Sequence, residues 1–348
     1  MKDFPVLLLH NLDPAWPSGD REIAVHEADR LASALYEIGH RVTTVTVCNA
    51  DLAAHLKNYD PGEWIVFNWC EELPGIPHSD ALVAEVLETL GFTYTGSTAD
   101  VLKLSWEKAD VKRLLEKHNL PTPSWRICDV AEPGDWHCYP AIVKPAHEHC
   151  SLGVTTGAVV RNRDELNLRL AYVLDEFKQP ALIEDFIDGR EFHVSLWGNG
   201  DVQMLPPAEM DFSRFNDIRD RLCTYDAKFC PGSLHYEEIQ LRLPAPLSEP
   251  EYDLLTCTAR AAYNAHCCRD FGRMDIRLRD GIFYILDINP NPDISSDASM
   301  ACAAEAAGFS FGAMGSHLIH LAAARHPIFG KQFDRNKTLD NLSRSIKL

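Results

Sequence analysis

The sequence predicts an α/β segment followed by α+β segments that are built on antiparallel sheets. Its first hundred residues alternate short apolar strands with amphipathic helices, which is typical of a parallel sheet. Farther along, strands occur in hairpin-like pairs around single helices, which favours antiparallel sheets. The chain has 348 residues, of which 46% are hydrophobic and 24% charged, so it can form two or three globular domains with cores of their own.

The N-terminal elements follow from apolar runs and spacing. Residues 5–9 are continuously apolar, as buried parallel strands are, and residues 41–48 and 64–69 are the next predicted strands. Helical spacing predicts helices over residues 22–39 and 80–90. A short strand leads to a turn at Ser97. Residues 1–97 are therefore predicted to form an N-terminal α/β domain.

The rest of the chain changes character after a helix at 102–118, which Pro121 and Pro123 end. Residues 207–247 are rich in Pro and turn formers and predict a long loop, a feature that is often functional. The predicted division is a central domain over 98–183, a C-terminal domain over 184–326 with a lid loop at 207–240, and a polar tail over 327–348. The remaining predicted strands are 141–144, 154–160, 181–184, 191–197, 202–205, 272–278 and 282–288, and the remaining helices are 164–177, 250–268 and a last one to about residue 325.

Charge and cysteine usage exclude several classes of protein. The 33 Lys and Arg against 51 Asp and Glu give a net charge of −18, which argues against a nucleic-acid or membrane-surface partner. A nucleotide could still bind at a local basic cluster with a divalent ion. The eleven cysteines include no Cys-x-x-Cys pair. With no secretory-like or membrane-length apolar run, a reduced cytoplasmic chain is expected.

The strongest chemical pattern is Arg273-x-Asp275 followed by Asp287-x-Asn289. A three-residue hairpin loop centred on residues 279–281 would place Asp275 nearly opposite Asp287, and residues two apart on a strand share a face. Two carboxylates and an amide oxygen suit Mg²⁺, with Arg273 beside them for a phosphate. On spacing alone, a solvent-facing polar hairpin surface is an equal alternative.

Three weaker patterns lie upstream. Lys144 interrupts an apolar strand and, with Lys108, could hold phosphates, although lysines often reach the solvent instead. The turn at 147–153 could cover phosphates with its backbone amides, whereas a His-x-His zinc site or a nucleophilic Cys150 is a minor alternative. Residues 182–187 with Glu191 could bind adenine and ribose, or could simply be a core strand that leaves its sheet.

Together and in this order, these segments resemble the ATP-grasp ligases, and within them the D-alanine–D-alanine ligase family. The resemblance covers nearly the whole chain. The motifs that carry it are residues 18–22, 91–97, 142–145, 148–153, 182–184, 189–192, 225–228, 272–275 and 287–290. It implies the three-domain ATP-grasp architecture, in which a parallel α/β domain precedes two antiparallel-sheet α+β domains that hold ATP between them.

The resemblance also implies roles for individual residues. ATP would be bound by Lys108, Lys144, Glu148, Ser151, Glu184, Asp185, Phe186, Ile187, Glu191 and Lys228. The metal ligands would be Asp275, Asp287 and Asn289, for one or two Mg²⁺ ions, with Mn²⁺ as an alternative. Catalysis would depend on Arg273, Lys228, Ser151 and Asp20, and substrate contacts would come from Asp20, Cys150, Phe229, Arg273, Asp293 and Ser299.

The implied reaction is the ATP-dependent joining of a carboxylate to an amine through an acyl phosphate, with release of ADP and phosphate. Five substrate positions depart from the family pattern: Asp20 replaces Glu, Cys150 replaces Ser, Phe229 replaces Tyr, Asp293 replaces Gly, and Ala298 beside Ser299 replaces Ser. They point to amino-acid or small-peptide substrates other than D-alanine on both sides. The alternatives are a true D-alanine–D-alanine ligase of cell-wall synthesis, an ATP-grasp phosphotransferase and a non-catalytic nucleotide-binding protein. A homodimer is expected by analogy with the family.

Overall fold

The computed structural model describes residues 4–149, 151–230 and 232–331 and contains three β-sheets. The first is a parallel four-stranded sheet of order β2-β1-β3-β4. Its strands are β1 (Pro5–Asn11), β2 (Arg41–Val47), β3 (Ile65–Trp69) and β4 (Thr93–Tyr94). Helices cover both of its faces, which is why residues 5–9 of β1 are all apolar.

The helices around this sheet come from both ends of the chain. They are α1 (Ser18–Glu37), α2 (Leu52–Leu56), α3 (Asp80–Thr89), and, from the C-terminal part, Ser299–Ala306 and Phe311–Ala323. Leu31 and Leu35 of α1 pack with Met314 and Leu318 in one core. The C-terminal segment therefore returns to the N-terminal sheet and closes one of its faces.

The second sheet is antiparallel, with the order β5-β8-β6-β7. Before it come two helices, α4 (Ala99–Trp106) and α5 (Lys108–Lys117). Its strands are β5 (Trp125–Cys128), β6 (Ala141–Pro145), β7 (Val159–Val160) and β8 (Ala181–Asp185), with α6 (Arg163–Phe177) packed on one side.

The third sheet has six antiparallel strands in the order β12-β11-β9-β13-β14, with β10 paired to β9. They are β9 (Arg190–Trp197), β10 (Gln203–Met204), β11 (Ala208–Asp211), β12 (Gln240–Arg242), β13 (Phe271–Arg279) and β14 (Ile282–Asn289). The helices of this part are α7 (Tyr225–Phe229), α8 (Leu234–Glu238) and α9 (Glu249–Ala265), and the two C-terminal helices already given are α10 and α11.

The predicted mixture of one parallel and two antiparallel sheets is confirmed, but several element predictions are wrong. The helix predicted at 102–118 is two helices that break at Glu107, and the last helix is also two. The strand predicted at 154–160 is only β7, because a turn and a short 3-10 helix precede it. The lid region predicted as a loop over 207–240 contains β11, α7, α8 and the start of β12. No helix among the described residues is long and apolar enough to cross a membrane.

Asp270 ties the third sheet to the first. Its carboxylate is fully buried, accepts hydrogen bonds from the amide of Gly96 and the side chain of Asn199, and pairs with Arg325 at 2.5 Å. The hydrogen-bond donors and the guanidinium offset the desolvation of this buried carboxylate. The contact orients the parallel domain relative to the sheet that carries the metal-type residues. The predicted domain limits themselves stay predictions, although β8 carries the central sheet on to Asp185.

Candidate active site

A single cleft between the second and third sheets collects most of the side chains that the sequence singles out. It is lined by residues from α5, β6, β8, β9, β13 and β14 and by the turn after β6. The predicted residues at its walls are Lys108, Lys144, Glu148, Ser151, Glu184, Asp185, Phe186, Ile187, Glu191, Asp275 and Asp287. Their convergence removes the alternative that the polar face of the β13–β14 hairpin simply faces solvent.

Asp275 and Asp287 lie directly opposite each other in the β13–β14 ladder, as the sequence spacing predicts. The predicted three-residue loop is wrong, however, because Arg279 pairs with Ile282. The turn consists of the two residues between them, which have φ values of 53° and 76°. Two residues with positive φ form the hairpin turn whose twist matches that of the strands.

A β-bulge explains how the carboxylates still face each other. A regular ladder from a two-residue turn would pair Asp275 with Leu286, but the register shifts by one residue between Asp275 and Ile276. The extra residue on β14 is Leu286, so Asp287 moves into the position opposite Asp275. Bulges commonly reorient side chains beside active sites in this way.

The two carboxylates have the chemistry of a divalent-cation site. Desolvation alone would raise the pKa of Asp287, but Lys108, His149 and Lys144 lower it, so the group is ionised at neutral pH. Asp275 is held by Arg273, whose Nε and Nη2 donate to its two oxygens at 2.8 and 3.1 Å. Hard oxygen donors on one face fit Mg²⁺ better than a soft metal.

Asn289, the third predicted ligand, is engaged in a local hydrogen bond. It lies on β14 two residues after Asp287 and opposite Arg273 in the ladder, so it shares the face of Asp287. Its side-chain oxygen accepts a hydrogen bond from the amide of Asn291 at 3.0 Å. Neither Asn289 nor Arg273 is among the residues that line the cleft.

Two predicted lysines provide positive charge on the opposite side of the cleft. Lys144 on β6 lies 2.6 Å from Glu184. Burial alone would lower the pKa of Lys144, but Glu184 and Asp287 raise it, so the ammonium stays charged. Lys108 at the start of α5 donates to the carbonyl of Glu148, and burial, together with repulsion from Lys144, lowers its pKa. Such an arrangement is stabilised by an anionic ligand.

Lys112 is a third lysine beside the cleft, and the sequence reasoning missed it. Its side chain is 1% exposed, and its Nζ lies 2.5 Å from Glu184, 2.8 Å from Thr122 Oγ1 and 2.9 Å from the carbonyl oxygen of Leu286. It occupies the helix position four residues after Lys108, which is the same face of α5. The Lys-x-x-x-Lys spacing at the start of that helix is the signal that could have found it.

The turn after β6 lies against the cleft, as predicted. Ser151 has a left-handed backbone, with φ of 61°, and its hydroxyl donates to the carbonyl of Cys223 at 3.0 Å. Burial and the neighbouring Lys108 lower the pKa of His149 to about 4, so this ring is neutral at pH 7. Its ring lies edge-on to Trp106, with 4.1 Å between centroids. Cys150 lies outside the described residues.

The predicted adenine segment is the end of β8. The carboxylate of Glu184 is bound by two lysines, and Asp185 pairs with Arg279 at 2.5 Å, so neither side chain is available for a base. The amides of Asp185 and Phe186 donate to backbone carbonyls. Phe186 and Ile187 are buried apolar walls of the cleft. Adenine recognition here would therefore depend on apolar contact and on backbone groups.

Glu191, the predicted ribose residue, lies on β9 and is paired with Arg277 at 2.7 Å. Burial alone would raise its pKa, but Arg277 and His193 lower it. Glu191, His193 and Cys223 are the one group of three His, Cys, Asp or Glu residues in the described part of the chain whose donor atoms lie within 4.8 Å of one another. The bound guanidinium disfavours a cation there.

The predicted substrate residues whose side chains the structure describes do not line the cleft; they are Asp20, Arg273, Asp293 and Ser299. Asp20 is exposed in the first turn of α1, and Asp293 is exposed and accepts hydrogen bonds from the amide and hydroxyl of Ser295. Ser299, at the start of α10, lies 3.4 Å from Nδ1 of His193. Lys228 and Phe229 belong to α7, but their side chains lie outside the part that the structure describes.

A carboxylate that the sequence reasoning missed lies near this second group. Glu71 follows β3, and although it is exposed, desolvation by surrounding protein and the carboxylates of Asp293, Glu72 and Asp80 raise its pKa to about 7. A group that titrates near neutral pH is a functional candidate. No motif around Glu71 distinguishes it, because its neighbours are brought to it by the tertiary fold.

Comparisons with known proteins establish the family of this chain. A family profile described as "D-ala D-ala ligase C-terminus" matches residues 117–320, which is more than half of the chain. The chain belongs to the D-alanine–D-alanine ligase family. The family predicted from the sequence is thereby confirmed, and with it an ATP-grasp enzyme that forms carbon–nitrogen bonds.

The relatives agree along nearly the full length. An uncharacterized protein of Sinorhizobium fredii is 30% identical over 89% of this chain and 90% of its own. A D-alanine–D-alanine ligase of Thermotoga petrophila is 30% identical, covering 84% of this chain and 90% of its own. A solved D-alanine–D-alanine ligase of Bacillus anthracis, complexed with ATP, superimposes with a TM-score of 0.69 and 19% identity over 92% of this chain and 97% of that chain, which confirms the ATP-grasp fold.

Proposed function

We propose that this enzyme joins a carboxylate to an amine of amino-acid-like substrates at the expense of ATP, through an acyl phosphate, with release of ADP and phosphate. The observation that supports this most strongly is the meeting of Lys108 and Lys144 with Asp275 and Asp287 in one cleft. Cations opposite an oxygen-ligand pair are what a triphosphate with a divalent ion requires.

The lining of the cleft supports one orientation for ATP. Its phosphates would lie against Lys108 and Lys144, and its base against the buried side chains of Phe186 and Ile187. Glu191 is ionised, because Arg277 lowers its pKa, and can accept hydrogen bonds from ribose hydroxyls. A Mg²⁺ or Mn²⁺ ion held by Asp275, Asp287 and Asn289 would neutralise phosphate charge.

The protein's own contribution to the chemistry is positioning and charge. A substrate carboxylate attacks the γ-phosphorus, the bond to the bridging oxygen breaks, and ADP leaves. The amine of a second substrate then attacks the acyl carbon, and phosphate leaves with the bonding electron pair while the amine loses a proton. Arg273 and Lys228 are proposed to stabilise the charge that develops, and the turn with Ser151 and Glu148 to cover the phosphates.

The second half of the site supports a substrate pair other than D-alanine on both sides. The family resemblance places Asp20, Cys150, Phe229, Asp293 and Ala298, with Ser299 beside it, at substrate positions, and the first five side chains differ from the family's usual residues there in length or in hydrogen-bonding groups. A changed set of polar groups changes which substrate leaves none of them unpaired. The proposed substrates are therefore free amino acids or small peptides. The predicted homodimer and cytoplasmic location stay predictions.

A screen of phosphate release tests the proposal. Amino acids would be offered singly and in pairs with ATP and Mg²⁺, and the products weighed by mass spectrometry. The expected result is release that needs both a carboxylate and an amine substrate, with a product lighter by one water than the sum of the pair. Fastest release with paired D-alanine would contradict the changed specificity, and a stable phosphorylated product without amine dependence would indicate a phosphotransferase.

A further inference from the structure

The buried side chain of Lys112 does not itself line the cleft, yet it contacts the lining residues Glu184 and Leu286 and belongs to the same charge network as Lys144. The carboxylate of Glu184 lies between the two ammonium groups, with Oε1 at 2.5 Å from Lys112 and Oε2 at 2.6 Å from Lys144. Glu184 is 1% exposed and Lys112 also 1%. Lys144 lines the cleft, whereas Lys112 does not.

The balance of charge in this triad has a consequence for an anion in the cleft. Two ammonium groups share one carboxylate, so the triad carries one net positive charge. Lys112 and Lys144 both lower the pKa of Glu184 and keep it ionised, although burial alone would raise that pKa. If Glu184 had Lys144 as its sole partner, the pair would be neutral, and Lys144 would offer less attraction to a ligand.

Contacts with the backbone hold Lys112 in this place. Its Nζ donates to the carbonyl of Leu286, which is the bulge residue of β14, and to Thr122. The hydroxyl of Thr122 donates in turn to the carbonyl of Ile285 at 3.0 Å. Burial lowers the pKa of Lys112, whereas the carboxylate of Glu184 raises it, and the hydrogen-bond acceptors around its Nζ favour the protonated form. Lys112 thus connects α5 to the strand segment that carries Asp287.

We propose that Lys112 is a positioning residue for the nucleotide phosphates: it neutralises Glu184 from behind and so leaves the charge of Lys144 available to ATP. The inference rests on the proposed function, because it assigns a part of the proposed ATP site. It differs from a purely structural role, since it concerns the net charge of the triad rather than packing.

The test compares the affinity for ATP with that for AMP, which shares the base and ribose but has fewer phosphate charges. In full-length protein with Mg²⁺, measured by calorimetry, Lys112→Met is expected to weaken ATP binding about 10- to 100-fold and AMP binding far less. The double variant Lys112→Met/Glu184→Gln returns the triad to one positive charge. It should therefore recover most of the ratio of ATP to AMP affinity.

Val111→Ala is the matched control, since this buried neighbour on α5 loses packing but no charge. It should lower the melting temperature and leave the affinity ratio unchanged. Equal weakening of ATP and AMP by Lys112→Met, or no recovery in the double variant, would overturn the proposal.

If Lys112→Met did not fold, a second pair of variants could still be compared. Glu184→Gln has two positive charges in the triad, and adding Lys112→Met to it removes one, so the affinity ratio should fall between these two variants. An unchanged ratio would overturn the proposal. If the wild-type protein bound no ATP, the proposed function would fail as well. If the wild-type protein bound ATP but the variants did not change the ratio of ATP to AMP affinity, the role of Lys112 alone would be excluded.

Discussion

The proposed nucleotide half and the proposed substrate half of the site are built in different ways. The nucleotide half places its charged groups on strands and on the first turns of α5, where ion pairs hold several of them, among them Glu184 and Asp275. The substrate half places its residues at helix starts and in turns, where Asp20 and Asp293 are exposed. Groups on regular elements are held more rigidly than groups on loops, so the first half can serve a constant ligand while the second can vary.

The largest expected effect breaks the nucleotide half. Asp287→Ala removes the carboxylate that faces both Lys108 and Lys144, and it should reduce ATP-dependent phosphate release about a thousandfold or more. The melting temperature should stay within a few degrees, because the group lies at the cleft. Asp280→Asn, in the turn of the same hairpin, is the control and should keep full activity. Turnover equal to that of the wild type in Asp287→Ala would contradict the assignment of Asp287 as a metal ligand.

A smaller effect is expected from Lys228, which the family resemblance assigns to the γ-phosphate. Lys228→Ala should lower kcat about a hundredfold and change the KM for ATP no more than a few-fold, because the interaction is made chiefly during phosphoryl transfer. Steady-state kinetics with the pair of substrates found in the screen provides the measurement. Equal losses in ATP binding and in kcat would count against this role.

Asp20 offers a test of the division between the halves. Asp20→Ala should raise the KM for the first amino substrate about tenfold, since it removes a charge-assisted hydrogen bond to an amine, and leave the KM for ATP unchanged. Glu22→Ala, two residues along the same helix and also exposed, is the control. If Asp20→Ala raised the KM for ATP together with the KM for the amino substrate, the two halves would not act separately.

The smallest effect is a pH dependence at Glu71. Its pKa is raised to about 7, so the carboxyl is neutral below that pH and ionised above it. If it helps to attract an amine, the KM for an amino substrate should fall a few-fold as the pH rises from 6 to 8. Glu71→Gln should flatten this profile without affecting the profile for ATP. An identical slope in the variant would exclude Glu71 from the substrate half.

The β13–β14 hairpin shows how a correct prediction can rest on an incorrect cause. Spacing alone placed Asp275 opposite Asp287, but through a three-residue loop that the protein does not have. The real pairing needs a two-residue turn and a bulge at Leu286, and no local pattern marks the bulge. It depends on tertiary contacts, among them the hydrogen bond from Lys112 to the carbonyl of Leu286.

The prediction of a loop in the lid region, residues 207–240, was wrong for a related reason. Its Pro-rich and turn-rich composition predicts a loop, yet β11 pairs with β9 in the third sheet and β12 pairs with β11. Short edge strands have weak sequence signals, because they gain most of their stability from the sheet that they join. The same applies to Lys112, whose interior position is set by packing between α5 and the third sheet.

What the sequence determined by itself was the class of each sheet, the family, and the charged residues that repeat its motifs, because these depend on periodicity and on residue types in a fixed order. Tertiary structure decided which of those groups share a cleft, which are exposed, and which charges are matched. Lys144 could be identified from a lysine within an apolar strand, whereas its partnership with Glu184 and Lys112 could not. Distances and desolvation set the charge of such a triad, and both arise when the helix and the sheets pack together.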